Sequence, residues 1–183
     1  MIIGITGTDG AGKGTVVQYL VDKKDYTHYS SRDLLLAEMK QRNVPFDRNH
    51  MRLVANELRA THGNDFIPKQ AYSKIKASKV TNAVIESIRA IAEAEYIKAQ
   101  GGLLIAVDAD VTERFRRVQA RRSESDKVDF ETFVRHEELE KNDPDPHGMQ
   151  KAAVIKMADF VIYNDGTIDE LQQQVDDILE QIQ

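Results

Sequence analysis

The sequence predicts an α/β protein, a parallel sheet of about five strands with helices on both faces. Three observations carry this. Short apolar runs alternate with stretches of helical periodicity through most of the chain. The first run, Met1-Ile-Ile-Gly-Ile5, leads into Gly7-Thr-Asp-Gly-Ala-Gly-Lys-Gly-Thr15 and then into Val16, Val17, Leu20 and Val21 at helical spacing. Leu103 to Val107 is an uninterrupted apolar run, as a strand buried on both faces would be.

Strand, glycine-rich turn and helix form the context of a phosphate-binding loop. Glycines let successive backbone N–H groups point into one concavity, because no Cβ blocks the required dihedrals. The helix that follows presents its positive end to the same point. Lys13 adds a cation that can follow phosphate oxygens. The loop residues expected around a phosphate are Gly7, Asp9, Gly10, Ala11, Gly12, Lys13, Gly14 and Thr15. The usual pattern, G-x-x-x-x-G-K-[ST], ends in a hydroxyl that touches Mg²⁺. Here that position is Gly14, and Thr15 follows one residue later. Magnesium is therefore expected to be held mainly by phosphates, water and carboxylates.

A length of 183 residues is read most economically as one domain with a small insertion. Hydrophobic residues make up 41% and charged residues 30%, which places the chain among globular proteins. A net charge of −5 argues against a general nucleic-acid binder. There is no cysteine, so disulfides and thiol–metal sites are excluded. The N-terminus reads as strand and loop rather than signal peptide, and no run approaches membrane-spanning length. A cytoplasmic protein without a membrane partner, monomeric or homodimeric, is expected.

Along the chain, Tyr26 to Ser30 alternates as a second strand, with Ser30 or Ser31 able to cap the helix through Leu34, Leu35 and Met39. Asn43-Val-Pro45 ends that helix. Another runs from about Arg48 to Thr61, with Met51, Val54 and Leu58 on one face, and His62-Gly-Asn64 stops it. Pro68 suits the first turn of the next helix. Asn82 to Ile85 is a third strand, followed by a helix over Ala90–Gln100 that Gly101-Gly102 closes. After Leu103–Val107, a helix carries Val111, Phe115 and Val118. Ser123 to Gln150 is polar and broken, with Asp143-Pro-Asp-Pro-His-Gly148 a clear loop. Phe160 to Tyr163 is a last strand. Thr167-x-x-Glu170 is a capping box opening a helix with Ile168, Leu171, Val175, Ile178 and Ile182 on one stripe.

In such a sheet, ligands bind beyond the C-terminal ends of the strands. The polar residues there are Asp9, Arg32, Asp33, Glu86, Arg89, Asp108 and Asp110. A loop lysine, several arginines and one or two carboxylates are the set that phosphoryl transfer needs. Arg114, Arg116 and Arg117 read as a solvated helix face. Arg121 and Arg122 stand where that helix enters the polar stretch and read as functional. Asp110 reads equally as a simple helix cap. The five histidines show no metal-ligand spacing.

Together these pieces resemble the nucleoside monophosphate kinase group of P-loop proteins, including adenylate kinase and dephospho-CoA kinase. They are similar above all to archaeal-type uncharacterised nucleotide kinases, which share an ending like Met157-Ala-Asp-Phe-Val-Ile-Tyr-Asn-Asp-Gly166. The resemblance implies a three-layer α/β/α P-loop fold over residues 1–183. It implies an acceptor-binding helical region at 31–79 and a lid at 122–150. It also implies an ATP- and Mg²⁺-dependent phosphotransferase with a nucleoside monophosphate-like acceptor. Ser31, Arg32, Asp33, Arg59 and Arg89 would hold the acceptor, since Ser31-Arg-Asp-Leu34 and Glu86-Ser-Ile-Arg89 stand where the group's acceptor segments do. Lys13, Arg89, Arg121 and Arg122 would act on the transferring group. Asn164 and Gly166 would lie at the donor adenine, and Thr15, Glu86 and Asp108 would reach Mg²⁺, the last two through water. Two other readings are carried. One is a dephospho-CoA kinase acting on a ribose hydroxyl, with Asp9 or Asp33 as general base. The other is an ATP-binding switch with slow hydrolysis.

Overall fold

The computed structural model describes residues 1–121 and 128–182. Five strands form one sheet, β1 (Ile2–Gly7), β2 (Thr27–Ser30), β3 (Ala83–Glu86), β4 (Leu103–Asp108) and β5 (Phe160–Tyr163). Their order is β2-β3-β1-β4-β5, and every pairing is parallel. The sheet expected from the alternating pattern is thus present, at the expected strand positions. Parallel neighbours require crossovers, which the helices supply: α1 (Lys13–Lys24), α2 (Ser31–Gln41), α3 (Arg48–His62), α4 (Phe66–Ala77), α5 (Ile91–Ala99), α6 (Val111–Ala120), α7 (Phe130–Lys141), α8 (Lys151–Lys156) and α9 (Ile168–Gln181). No described helix is long and apolar enough to cross a membrane.

Period-two side chains divide the sheet's contacts between two layers. Ile3, Ile5, Ile105 and Val107 pack with Val16 and Leu20 of α1 and with Val175 and Ile178 of α9. Ile85 and Leu104 pack on the other side with Ile97 of α5 and Val154 of α8. Leu104, Ile105, Ala106 and Val107 are all fully buried, so β4 is covered on both faces, as its sequence predicts. Burying a side chain such as Ile5 or Leu104 contributes about 1.5–3 kcal/mol. A separate cluster of Leu35, Met39, Val54, Leu58 and Ile67 holds α2, α3 and α4 together beside the sheet.

Caps fix where the helices start. Ser30, rather than Ser31, accepts from the Asp33 N–H and opens α2. Asp110 caps α6 through Thr112 and Glu113 N–H groups, so the plain reading of that acid holds. The Thr167/Glu170 capping box opens α9. Two differences from the sequence reading stand out. The polar stretch after 123 contains a 12-residue helix, α7, and a short one, α8, follows it; no regular stripe announces either. α7 forms because Asp129 caps it and Phe133 and Glu137 bury against α6. Ile168 is exposed, and Leu179 takes its expected place in the α9 stripe.

Register sets the strand ends in a row. Ser30 pairs with Glu86, Ile5 with Glu86 on the other side, Gly7 with Val107, and Asp108 with Tyr163. The polar residues that follow each strand therefore meet at one edge of the sheet. Ser87, next to Glu86, takes φ 71°, a left-handed conformation that turns the chain between Glu86 and Arg89.

Two glycines of the loop differ in what they require. A Cβ at Gly7, where φ is 130°, would lie 2.0 Å from the Val107 carbonyl oxygen; at Gly14 it would meet nothing within 4 Å. Gly7→Ala is expected to lose more than about 3 kcal/mol of unfolding free energy, because backbone must move. Gly14→Ala is expected to keep or gain up to about 1 kcal/mol from helix propensity. Urea titrations of the two variants check the contrast, and equal losses would contradict this account of the loop.

Candidate functional site

The chain leaves β1 at Gly7 and turns into α1 through Gly10 (φ 80°) and Gly12 (φ 99°). Gly12 is the helix N-cap in a left-handed conformation, no side chain caps α1, and its first turn has no acidic residue. The Thr15 N–H donates to the Gly12 carbonyl at 2.9 Å, and the Lys13 and Gly14 N–H groups before it stand at the positive end of α1, where an external anion would be held. Asn164, buried after β5, braces the turn, its Nδ2 donating to the Ala11 carbonyl at 2.8 Å. It also fills the space a Cβ on Gly12 would need, at 2.3 Å. Thr8 Oγ1 donates to Asp108 at 2.6 Å and ties the loop to the end of β4.

Lys13 folds over the loop. Its Nζ donates to the Thr8 and Gly7 carbonyls at 2.6 and 3.2 Å and lies 3.9 Å from Asp9. Burial pushes Lys13 down to about 8, with Lys151 and Arg89 adding repulsion and Asp9 only partly offsetting them. A polyphosphate arriving at the loop would relieve that cost, so the residues present fit such a ligand.

A cavity of about 420 Å³ opens from the loop toward α2 and α3. Asp9, Gly10 and Lys13 form one wall; Arg32, Arg48, Arg52, Arg89 and Arg121 stand around it; Leu35, Phe46, Met51 and Met149 supply apolar surface. Cations predominate there in a chain whose net charge is −5. Among the described residues Arg32 has no hydrogen-bond or ion-pair partner.

Beneath the cavity lies an ion cluster. Arg48 at the start of α3 grips both Asp9 and Glu140, with its Nε 2.9 Å from Glu140. Lys151 at the start of α8 lies 3.0 Å from Asp9 and 2.8 Å from Glu140. Arg89 stands 3.7 Å from Glu140. Burial raises the Asp9 carboxyl, but Lys151, Lys13, Arg48 and Arg89 outweigh it and hold it well below the usual carboxylate range. Glu140 is lowered as well: burial and Asp9 oppose its charge, and Lys151, Arg89 and Arg48 prevail.

The structure brings Lys13, Asp9, Gly10, Ser31, Arg32, Arg59, Glu86, Arg89 and Arg121 around one cavity. Their surroundings differ from expectation in places. Arg59 is only 2% exposed, and its guanidinium is engaged by Glu93 at 2.8–2.9 Å and by Asn56 and the His147 carbonyl. It joins α3 to α5 and to the loop before α8. Ser31 donates to the Glu86 carbonyl at 2.7 Å, a structural bond. Asp33 lines a different cavity, between α2 and α4. Arg122 lies outside the described residues.

The arginines of α6 require a correction. Arg116 is solvated and pairs with Glu113. Arg114 is 6% exposed, bonded to Glu137 and to the carbonyls of Ala109 and Asp9. Arg117 donates to the Asn164 carbonyl at 2.8 Å, and its Nη1 is buried with no partner among the described residues. The α7 helix supplies the cover that makes a solvated face a buried one. Sequence reasoning missed Arg48, Glu140 and Lys151. Arg48 read as a helix start, and the other two fell in or beside the polar stretch, where no periodicity marks a buried charge.

For a divalent cation, no group of three or more His, Cys, Asp or Glu could hold a metal among the described residues. Thr15 is exposed; Asp108 is half-exposed and binds Thr8 and the Ala109 N–H. Glu86 faces the cavity but accepts from His28 at 3.1 Å, a bond that lowers its carboxyl, with Lys13 and Arg89 helping against burial. Oxygen ligands this sparse fit a cation that brings phosphates and water with it. Gly166 has a local reason to be glycine: a Cβ there would lie 2.1 Å from Glu170 Oε2.

Comparison with known proteins agrees with the fold. The AAA domain family model matches residues 3–143. A UPF0200 protein of Methanococcus maripaludis is 32% identical over 168 residues, covering 90% of this chain and 88% of the relative. A UPF0200 protein of Methanocaldococcus jannaschii is 29% identical over 187 residues, covering 100% and 90%. Among solved structures, TT1252 from Thermus thermophilus superposes with a TM-score of 0.67 at 20% identity, covering 100% of this chain and 98% of that one. Shikimate kinase from Bacteroides thetaiotaomicron gives 0.59 at 14% identity, with the same coverage. The fold shared with these structures is P-loop kinase-like. The chain belongs to the AAA domain family and, within the curated relatives it matches, to the UPF0200 proteins.

Proposed function

We propose that the protein is a phosphotransferase that moves the γ-phosphoryl group of ATP to a nucleoside monophosphate-like acceptor. The observation that carries this is one cavity with the phosphate loop and Lys13 as a wall and, facing them, Arg32, which has no partner among the described residues, and Arg89, held only at 3.7 Å from Glu140. A nucleotide switch needs the loop but not a second cationic compartment opening from it.

In this reading the loop amides and Lys13 hold the donor phosphates. Asn164 keeps the loop in shape, and Arg117, whose buried Nη1 has no partner among the described residues, holds the Asn164 carbonyl from α6. Mg²⁺ accompanying ATP would neutralise developing charge on the phosphate oxygens, reached from Thr15 and, through water, from Glu86 and Asp108. Arg32 and Arg89 attract the acceptor, and Arg121, with Arg122, closes over the transferring group. Residues 31–79 form the acceptor arm and 122–150 the lid. Excluding water limits wasteful hydrolysis. A hydroxyl acceptor, as in dephospho-CoA kinase, is less well served: Asp9 is held charged by Lys151, Lys13 and Arg48, and Asp33 lies off the cavity.

ADP formation from ATP–Mg²⁺ is expected to accelerate strongly with one of AMP, CMP, UMP, GMP or their deoxy forms; acceleration by dephospho-CoA alone would favour the hydroxyl acceptor instead. Lys13→Ala should lower that rate at least about 100-fold, the scale of one electrostatic stabiliser; near-normal turnover would overturn the role of Lys13. Nucleotide binding should also take up protons. Lys13 titrates at about 8 in the free protein, so phosphate contact raises its affinity for a proton. Affinity is then constant below pH 8 and falls as pH rises beyond it. Calorimetry at about pH 8.5 in buffers of different ionisation enthalpy should show up to about one proton absorbed per ATP.

A further inference from the structure

Glu140 is a carboxylate at the end of α7, 3% exposed, that phosphoryl transfer does not require. It lines the cavity and faces three cations, with Arg48 Nε at 2.9 Å, Lys151 at 2.8 Å and Arg89 at 3.7 Å. Asp9 holds two of the same cations, Arg48 and Lys151, from the other side. With Lys13 included, four cations surround two carboxylates, and the excess charge is positive. Geometrically, three cationic groups converging on one oxyanion are what a phosphate would use.

The residues after Glu140 are zipped along α3. Arg52 Nη1 donates to Asp143 at 2.8 Å, Asn56 Nδ2 to Asp145 at 2.9 Å, and Arg59 Nη1 to the His147 carbonyl at 3.3 Å. Arg48, Arg52, Asn56 and Arg59 are spaced to share one helix face. Glu140 is the first rung of this strap, and of the four strap residues it alone lines the cavity. The lower rungs anchor the strap without it, and Asp9 keeps Arg48 and Lys151 paired without it.

We propose that Glu140 is a resident carboxylate in an oxyanion site built by Arg48, Arg89 and Lys151, and that the acceptor's phosphate takes this site by displacing it. A dianion replaces a monoanion in a region of surplus positive charge. The strap's remaining rungs keep the displacement local to the end of α7. That the phosphate belongs to an acceptor rests on the phosphotransferase reading; the site and its occupant do not.

The test uses inorganic phosphate and no nucleotide. In full-length Lys13→Ala protein, which weakens the phosphate loop, phosphate binding is measured by calorimetry with and without Glu140→Gln. Removing the resident charge should tighten binding roughly 10-fold, and adding Arg89→Met should abolish the gain. Unchanged or weaker binding by the folded Glu140→Gln variant overturns the proposal. Should that variant fail to fold, hydrogen exchange on the Lys13→Ala protein decides. Phosphate should speed exchange at the C-terminal end of α7 while residues 143–147 stay protected; slowed or unchanged exchange there overturns it. A chain that transfers no phosphoryl group to any acceptor, yet shows the Glu140→Gln gain, would sink only the kinase reading.

Discussion

The Asp9 carboxylate is the point on which the site depends. It sits in the phosphate loop and is held by Arg48 from α3, Lys151 from α8 and Lys13 from α1. Arg48 and Lys151 lie far from the loop in sequence, and their side chains tie α3 and α8 to it. Buried ion pairs add little net stability, but breaking one by removing a partner costs about 3–5 kcal/mol. The cluster therefore acts less as glue than as a constraint on arrangement. With Asp9 charged and centred, the start of α3, the end of α7 and the phosphate loop take one relative position.

Around that constraint the backbone does the rest. Parallel register brings Gly7, Ser30, Glu86 and Asp108 to one edge of the sheet. Gly10 and Gly12 turn the loop through left-handed conformations, and Asn164 locks the turn from β5. The phosphate loop is thus built from strand ends, while α2, α3 and α4 share a small core of their own and pack as a unit beside the sheet. In the proposed reading the first holds the donor and the second admits the acceptor.

Much of this was legible in the sequence. Alternating runs located all five strands, and the glycine spacing located the loop, because backbone geometry is written locally in residue type. Ser30, Asp110 and Thr167 declared helix starts for the same reason. The buried charges were not legible. Arg114 looked solvated since pattern reading assigns arginine to water, and its cover, Glu137 on α7, came from a stretch with no clean period. Arg59 looked like a ligand to the acceptor, but its partner Glu93 is a helix and a strand away, invisible without the fold. Charge pairing is a tertiary property, and Glu140 and Lys151 carry no local signature of it.

Transfer, rather than hydrolysis, separates the proposed phosphotransferase from a nucleotide switch, and the fate of the γ-phosphoryl group distinguishes them. The protein would be incubated with γ-labelled ATP, Mg²⁺ and each monophosphate in turn, and the products separated. Label carried by an acceptor-derived diphosphate, with little inorganic phosphate, is expected of a phosphotransferase. Label found only as inorganic phosphate, at a rate no acceptor changes, would contradict it.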